Sequence, residues 1–97
     1  MTDKFDRNGK LLELLEWAKL MENPEYKIVK QDTLANGKIV STVWLGLNHN
    51  FGRGKPLIFE TMVFPKEGEW RELDVQRYTT ETQAKEGHAR MIRRWSK

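Results

Sequence analysis

An Asn-Gly pair at residues 36 and 37 constrains the fold of this chain more than any other local feature. It stands between two runs rich in β-branched and aromatic residues, YKIVKQDTL and IVSTVWLGL. Asn-Gly accepts the positive φ angles of a type I′ turn, whose twist matches that of two antiparallel strands. The sequence therefore predicts a β-hairpin centred on Asn36 and Gly37, and the rest of the fold must pack around its two strands.

Two further strands are predicted after this hairpin. Residues 57–64 (LIFETMVF) are rich in branched and aromatic side chains, and residues 70–78 (WRELDVQRY) alternate between apolar and polar ones. Pro65 and Gly68 lie between the two runs and indicate a turn. Because the connections between strands are short, we expect an antiparallel meander of three or four strands.

One amphipathic helix is predicted before the sheet. Asn8 is the expected N-cap, since its side chain can accept a backbone N–H, and Asn23-Pro24 ends the segment. Residues 1–7 are polar and are expected to be disordered. The apolar positions at helical spacing are Leu11, Leu14, Leu15, Ala18 and Met21.

A second amphipathic helix is predicted after the sheet. Thr80 and Gln83 fit a capping box, in which each side chain accepts a hydrogen bond from the other residue's backbone. Gly87 permits a close approach of another segment to this helix. Its apolar stripe comprises Ala84, His88, Met91, Ile92 and Trp95.

The predicted order is α-β-β-β-β-α, an α+β fold in one domain spanning residues 1–97. The 97 residues contain no cysteine, which excludes a disulfide scaffold, a thiolate zinc site and a cysteine nucleophile. Basic and acidic residues number 17 and 14 and are intermixed, so the net charge of +3 argues only weakly for an anionic partner. The polar N-terminus and the lack of an apolar run of about 18 residues predict a soluble protein of a reducing compartment, with no membrane association.

Both faces of the predicted sheet carry apolar residues. In residues 39–47, Val43 and Leu45 share one face, while Val40 and Trp44 share the other. Either one helix covers each face, or a face that includes Trp44 is exposed and associates with a partner or with a second copy. The residues expected at such an interface are Thr42, Trp44, Ile58, Met62 and Phe64.

A small-ligand site is the second possibility, since the loop after residue 47 combines amides, an imidazole, glycines and cations. Such a loop can turn backbone N–H groups toward a phosphate or carboxylate. The alternative is an ordinary solvated connection whose amides make Asx turns. The residues assigned to the candidate pocket are Asn48, His49, Asn50, Arg53 and Lys55, together with Glu60 and His88.

Glu60 and His88 are polar residues at positions expected to be buried. Glu60 needs a partner there, and Thr42, Arg77, His49 and His88 are all open candidates. Most histidines on an apolar helix stripe are hydrogen-bonded core residues. No metal-binding spacing joins the two histidines to Glu60, and no serine lies on a nucleophile elbow. We therefore predict no metal, no cofactor and no catalytic residues.

The last helix carries four cations along one flank. They complement the helix dipole at its C-terminus, or they form a ridge that binds nucleic-acid phosphates. The residues of this basic ridge are Arg90, Arg93, Arg94 and Lys97.

Several segments resemble a family of small uncharacterised proteins of bacteriophage and prophage genomes. They are VSTVWLGLNHNFG at 40–52, PLIFETMVF at 56–64, and RYTT at 77–80 followed by Gly87-His88. The resemblance covers roughly residues 40–95 and implies no activity or ligand. It implies a small accessory protein of the bacterial cytoplasm that acts on a host function.

Taken together, these features predict a non-enzymatic protein that binds a host macromolecule stoichiometrically, with counter-defence as one possible role, and that forms a homodimer. Nucleic-acid binding through the basic ridge is the first alternative. Binding of a small ligand such as a nucleotide by the loop is the second.

Overall fold

The computed structural model describes residues 3–50 and 52–97 and has an α+β fold. Its main sheet has four antiparallel strands that follow one another in space as they do along the chain, which confirms the predicted meander. In chain order the elements are β1 (Lys4–Phe5), β2 (Leu11–Leu12), α1 (Leu14–Met21), α2 (Pro24–Lys27), β3 (Ile28–Thr33), β4 (Ile39–Trp44), β5 (Phe59–Phe64), β6 (Asp74–Tyr78) and α3 (Glu81–Trp95).

The predicted Asn-Gly hairpin joins β3 to β4. Thr33 pairs with Ile39 across the turn, and Gly37 takes the left-handed conformation with φ of 88°. The Asn36 side chain accepts a hydrogen bond from the Lys38 backbone at 3.0 Å and donates one to the Trp95 carbonyl at 2.7 Å. The turn is therefore held to the C-terminal end of α3 as well as by its own strands.

The N-terminal region differs from the prediction. Helix α1 begins at Leu14, with Glu13 rather than Asn8 as its N-cap. Asn8 instead lies in a turn between β1 and β2, and its backbone N–H donates to the Asp6 carboxylate at 2.9 Å. The physical reason is that Asn8-Gly9 is itself an Asn-Gly turn signal, with Gly9 at φ of 84°.

This turn also orders part of the segment that was expected to be disordered. In residues 3–7 the structure has strand β1, and Phe5 donates a backbone hydrogen bond to Gly46 at 2.8 Å. Residues 1 and 2 of that prediction lie outside the described residues. A short third helix, α2, follows Asn23, whose side chain accepts hydrogen bonds from the Glu25 and Tyr26 backbones.

Helix α3 packs on the face of the sheet that carries Trp44. The predicted capping box of Thr80 and Gln83 starts the helix, which confirms the helix prediction. Gly87 faces Tyr78, and a Cβ atom at position 87 would overlap the phenol ring. Glycine is therefore required here for contact between α3 and β6, as the sequence indicated.

The N-terminal elements cover the remaining end of the same face. The Trp44 indole donates a hydrogen bond to the Phe5 carbonyl at 2.9 Å, and its ring packs edge-on against Tyr26 with centroids 4.9 Å apart. Trp17, Leu20 and Met21 also pack against this part of the core. Trp44 is therefore only 1% exposed.

The helices thus form one layer and the sheet a second. Through His88 and Arg94, α3 bonds to Asp32, Thr42 and Asp74, and each of these lies on the Trp44 face by strand register. The opposite face has no helix packed across it among the described residues. In that part of the chain, no helix is long and apolar enough to cross a lipid bilayer.

Candidate functional site

The uncovered side of the sheet is the first candidate surface, and we call it the open face. The register places Val43, Met62 and Val75 there, all partly exposed, and Phe64 follows along β5. Trp70 packs edge-on against Phe64 with ring centroids 5.1 Å apart and remains 60% exposed. We define the open face by these five residues.

One ion pair crosses the open face. The Arg77 Nε donates to Glu60 Oε2 at 2.9 Å, and the two residues are direct cross-strand partners. Glu60 is nearly buried, whereas 40% of the Arg77 side chain is exposed. Of the four partners that sequence left open for Glu60, Arg77 is the one that binds it.

The interface predicted from sequence is only partly on this surface. Met62 and Phe64 lie on the open face. Thr42, Trp44 and Ile58 are buried inside the molecule, so the prediction of Trp44 as an exposed anchor is wrong. The reason is that α1, α2 and the N-terminal strands all pack over the Trp44 end of the sheet.

Beneath α3, four polar side chains form a hydrogen-bonded chain. His88 Nε2 lies 2.7 Å from Asp32 Oδ2, and His88 Nδ1 lies 2.6 Å from the Thr42 hydroxyl. The Thr42 hydroxyl lies 2.6 Å from that of Thr61. His88, Thr42 and Thr61 are fully buried, while the Asp32 side chain is 40% exposed at the edge strand β3.

Which atoms donate and which accept in these hydrogen bonds depends on the protonation of His88. In neutral His88, Nε2–H donates to Asp32, Thr42 donates to Nδ1, and Thr61 donates to Thr42. In protonated His88, Nδ1–H donates to Thr42, which must then donate to Thr61. The order carboxylate, imidazole, hydroxyl also occurs in hydrolases. Because Thr42 is fully buried under α3, no substrate reaches its hydroxyl in this conformation.

The structure does not assemble the predicted ligand pocket. Glu60 faces the open side of the sheet, whereas His88 lies on the helix-covered side, so the sheet separates them. His49 lies in the connection between β4 and β5, where its backbone N–H donates to the Leu57 carbonyl. The prediction of a pocket shared by Glu60 and His88 is therefore wrong.

The amides of the loop hold the loop itself. Asn48 Oδ1 accepts the backbone N–H groups of Asn50 and Leu57 at 2.8 and 3.1 Å. The Asn50 amide donates to the Lys55 carbonyl at 3.0 Å. These contacts favour the alternative of an ordinary connection with Asx turns. Arg53 and Lys55 are exposed, and residue 51 lies outside the described residues.

Metal-binding side chains are not grouped in the described part of the chain. Among residues 3–50 and 52–97, no set of three or more histidine, aspartate or glutamate residues is placed to hold a metal ion.

One residue of the basic ridge, Arg94, forms an ion pair within the protein. Arg94 bonds to Asp74 at 2.8 Å, and the Trp95 indole donates to the same carboxylate oxygen at 3.0 Å. Burial opposes ionisation of Asp74, but these two hydrogen bonds, together with that from the Val75 backbone and the charge of Arg94, outweigh it and place the pKa of Asp74 below its ordinary value. Arg90 and Arg93 on α3 and Lys97 just beyond its end remain exposed, and their binding to nucleic acid stays a prediction.

Sequence reasoning missed the role of Arg7. Its Nε donates to Glu81 Oε1 at 2.7 Å, and its guanidinium also donates to the Tyr26 carbonyl at 3.1 Å. The hydrogen bond from Arg7 lowers the pKa of Glu81, and the same bond raises the pKa of Arg7. Arg7 thereby ties the N-terminal turn to the start of α3, a contact across 74 positions that no local pattern signals.

Sequence reasoning also missed a second apolar surface at the N-terminal end. Leu11, Leu14 and Leu15 are 63%, 59% and 76% exposed. Helical periodicity placed them among the core-facing positions of a longer helix. The helix begins only at Leu14, and the core receives Trp17 and Leu20, which the prediction did not include, together with Met21, which it did. We call Leu11, Leu14 and Leu15 the leucine patch.

Comparisons of the chain with protein-family models, with curated proteins and with solved structures find no match in any of the three.

Proposed function

We propose that this protein acts by stoichiometric binding to another protein, with the open face as its docking surface. The observation that carries the proposal is the placement of the helices, all of which pack on the Trp44 face and leave Val43 and Met62 of the two central strands partly exposed on the other face. Contiguous apolar surface of this kind usually marks an interaction site.

The chemistry of the open face favours an apolar protein surface as partner. Val43 and Met62 lie on the two central strands, Val75 lies beside Met62 on the edge strand β6, and Trp70 packs against Phe64. Exposed aromatic side chains contribute strongly to binding because they bury large area at little entropic cost. Trp70 is therefore the expected anchor.

The charges on the face argue for a protein rather than a nucleic acid. Its central charged groups are Glu60 and Arg77, which neutralise each other at 2.9 Å. A phosphate backbone is bound by unpaired cations, and this face presents no excess of them. The bacterial host setting that the phage-family resemblance implies makes bacterial proteins the class to test.

The test compares the wild-type protein with Met62→Lys and with the control Ala89→Lys, which adds the same charge on the exposed side of α3. Each immobilised protein is exposed to bacterial lysate, and a captured protein is purified and titrated against each variant by calorimetry. We expect about one partner per chain with wild type and with Ala89→Lys. We expect affinity at least ~10-fold lower with Met62→Lys, because a lysine would be desolvated at the centre of the contact.

Hydrogen exchange locates the contact independently of the variants. Protection on partner binding is expected in β5 and β6 and in the segment around Trp70. Equal affinity of Met62→Lys and wild type, with protection confined to α3 or to the N-terminal elements, would show that the open face is not the docking surface. Circular dichroism of each variant confirms that it is folded.

A further inference from the structure

The two edges of the main sheet differ in whether their outward backbone groups already have partners. At the β6 edge, the Val75 N–H donates to the side chain of Asp74 at 2.9 Å. Strand β3 forms the other edge and has β4 as its one neighbour. Among the described residues, no side chain accepts the backbone N–H of Gln31 or of Thr33. The β3 edge is therefore open to pairing with another strand.

The hydrogen bonds between β3 and β4 show which backbone groups point outward. Leu34 donates its N–H to the Lys38 carbonyl at 2.7 Å, and the same register holds for residues 30–33. In an antiparallel ladder, successive residues alternate between bonding to the neighbouring strand and pointing away from it. Gln31 and Thr33, which lie an odd number of residues before Leu34, therefore direct their N–H and C=O groups away from the sheet.

We propose that β3 pairs antiparallel with β3 of a second copy, about a two-fold axis at Gln31. The two four-stranded sheets then form one continuous sheet. Gln31 of each copy lies opposite Gln31 of the other, and their backbones exchange two hydrogen bonds. The contact is isologous, because the same strand is presented from both sides.

The charges of β3 select a second copy in this register. Lys30 lies opposite Asp32 of the other copy, and Asp32 lies opposite Lys30, which makes two cross-strand ion pairs. A shift by two residues is the smallest that keeps outward groups facing each other. It would place Lys30 opposite Lys30, or Asp32 opposite Asp32, and like charges directly opposite are destabilising. The strand therefore attracts its own copy at one register and repels it at both neighbouring ones.

Both charged side chains are available for these pairs. Lys30 is exposed and forms no ion pair within residues 3–50 and 52–97. The Asp32 side chain is 40% exposed and bonds to His88 through Oδ2. In the part of the chain that the structure describes, no donor bonds to Asp32 Oδ1. Asp32 therefore keeps its bond to His88 in the dimer and accepts Lys30 of the other copy through Oδ1.

The dimer also changes what the open face presents. The two-fold axis of an antiparallel pair of strands runs perpendicular to the sheet, so both open faces lie on the same side. A partner protein would meet them as one continuous surface. This consequence rests on the proposed function, whereas the pairing of the strands does not.

The length of β3 sets the expected strength of the dimer. Its six residues span about 20 Å, so the contact is smaller than a standard protein interface. The register shift between Ile28 and Lys30 also limits the ladder at one end. We therefore expect a reversible dimer that forms in the micromolar range and dissociates on dilution.

The first experiment tests the register by disulfide cross-linking, which is possible because the chain has no cysteine of its own. The two Gln31 Cα atoms would lie about 5.5 Å apart across the axis, within the range of a disulfide. The two Thr33 Cα atoms would lie about 14 Å apart, which is too far. Under mild oxidation, Gln31→Cys should form a covalent dimer at least ~10-fold faster than Thr33→Cys. Equal rates, or a faster Thr33→Cys, would overturn this register.

The second experiment measures sedimentation of wild type and charge variants at roughly 1–300 µM. We expect a concentration-dependent monomer–dimer equilibrium for wild type. Lys30→Glu places a glutamate opposite Asp32 at both ion pairs and should raise the dissociation constant at least ~10-fold. Adding Asp32→Asn removes the repulsion, keeps an acceptor for His88 Nε2 and should restore much of the affinity. Lys66→Glu makes the same charge change away from β3 and should dimerise as wild type does.

A third variant, Gln31→Pro, tests whether the backbone makes the contact. Proline removes the outward N–H of residue 31 and no hydrogen bond to β4, so circular dichroism should show a folded protein that no longer dimerises. If this variant does not fold, Lys30→Glu and the cross-linking decide. A dimer retained in a folded Gln31→Pro, or unchanged in Lys30→Glu, overturns the proposal and assigns self-association to another surface.

The outcome for wild type separates this proposal from the proposed function. A wild-type protein that stays monomeric at roughly 300 µM overturns the dimer and leaves binding by the open face untouched. Lys30 and the register shift would then act as protection of the edge against pairing. A dimer lost in Met62→Lys but retained in Lys30→Glu would assign self-association to the open face.

Discussion

At the scale of single residues, the most constrained positions are the two threonines under α3. Thr42 and Thr61 are direct cross-strand partners. The Thr42 hydroxyl bonds to His88 Nδ1, and the Thr61 hydroxyl bonds to that of Thr42. A buried imidazole is costly when one of its nitrogens has no partner. The hydroxyls at these two positions are therefore explained by the hydrogen bonds that they make in the group with His88. A branched side chain without a hydroxyl, such as valine, would fill the same space.

This explanation predicts the effect of Thr42→Val, which keeps the shape and removes the hydroxyl. We expect the free energy of unfolding to fall by about 2 kcal/mol, since His88 Nδ1 and the Thr61 hydroxyl both lose their partner. Urea denaturation measures the change. Ser41→Ala, on the neighbouring residue of the opposite face, is the control and should change stability by less than about 0.5 kcal/mol. Equal effects of the two variants would refute the role of the network.

At the scale of elements, α3 is fixed at both ends by ion pairs. Arg7 bonds to Glu81 in its first turn, and Arg94 near its last residue bonds to Asp74 of β6. The pKa values of both carboxyls lie below the ordinary values of 4.5 for Glu81 and 3.8 for Asp74. Two ionised carboxylates therefore contribute to the docking of this helix.

The sign of the pH dependence follows from these shifts. Each carboxyl has a lower pKa in the folded than in the unfolded chain, so its contribution is complete above the unfolded value and is lost as pH falls through the folded value. We expect the free energy of unfolding to decrease from about pH 5 downward. Urea titrations at several pH values measure it.

Glu81→Gln isolates one of the two groups. At neutral pH it should lower the free energy of unfolding by about 1 kcal/mol, and it should flatten the loss of stability in acid. Glu86→Gln, an exposed position on the same helix, is the matched control. If the free energy of unfolding fell equally steeply in acid for Glu81→Gln and for wild type, the loss of stability would come from other carboxyls.

At the scale of the whole molecule, the arrangement is two layers with the helices all on one side. The shortest dimension, 21 Å, matches one helix layer and one sheet layer of about 10 Å each. The consequence is an asymmetric surface, with the open face on one side, the exposed cations of α3 on the other, and the leucine patch at the N-terminal elements.

The exposed cations of α3 lead to a prediction for nucleic acid. Three cations of the basic ridge, Arg90, Arg93 and Lys97, remain after Arg94 is paired with Asp74, so binding to duplex DNA should be weak and should fall about 40-fold between 50 and 200 mM salt. Fluorescence anisotropy measures it. Arg93→Glu should weaken binding more than Lys66→Glu, which makes the same charge change away from α3. Equal losses in both would indicate only an effect of net charge.

The sequence by itself determined the four strands of the meander, the hairpin at Asn36-Gly37 and the capped C-terminal helix, because turn residues, alternation and capping are local signals. Periodicity also placed His88 on the buried stripe and Gly87 at a close contact. The start of the first helix was predicted wrongly, because Asn8-Gly9 has two local interpretations, a helix cap and a turn.

Only the tertiary structure decided which face of the sheet the helices cover. Alternation along a strand shows which side chains share a face, but both faces here are apolar, so the choice depends on contacts between remote segments. Packing of the N-terminal elements buried Trp44, and the docking of α3 joined His88 to Asp32. Met62, on the opposite face, stayed partly exposed, and Leu11, Leu14 and Leu15 stayed exposed. These contacts span tens of residues, and no local pattern encodes them.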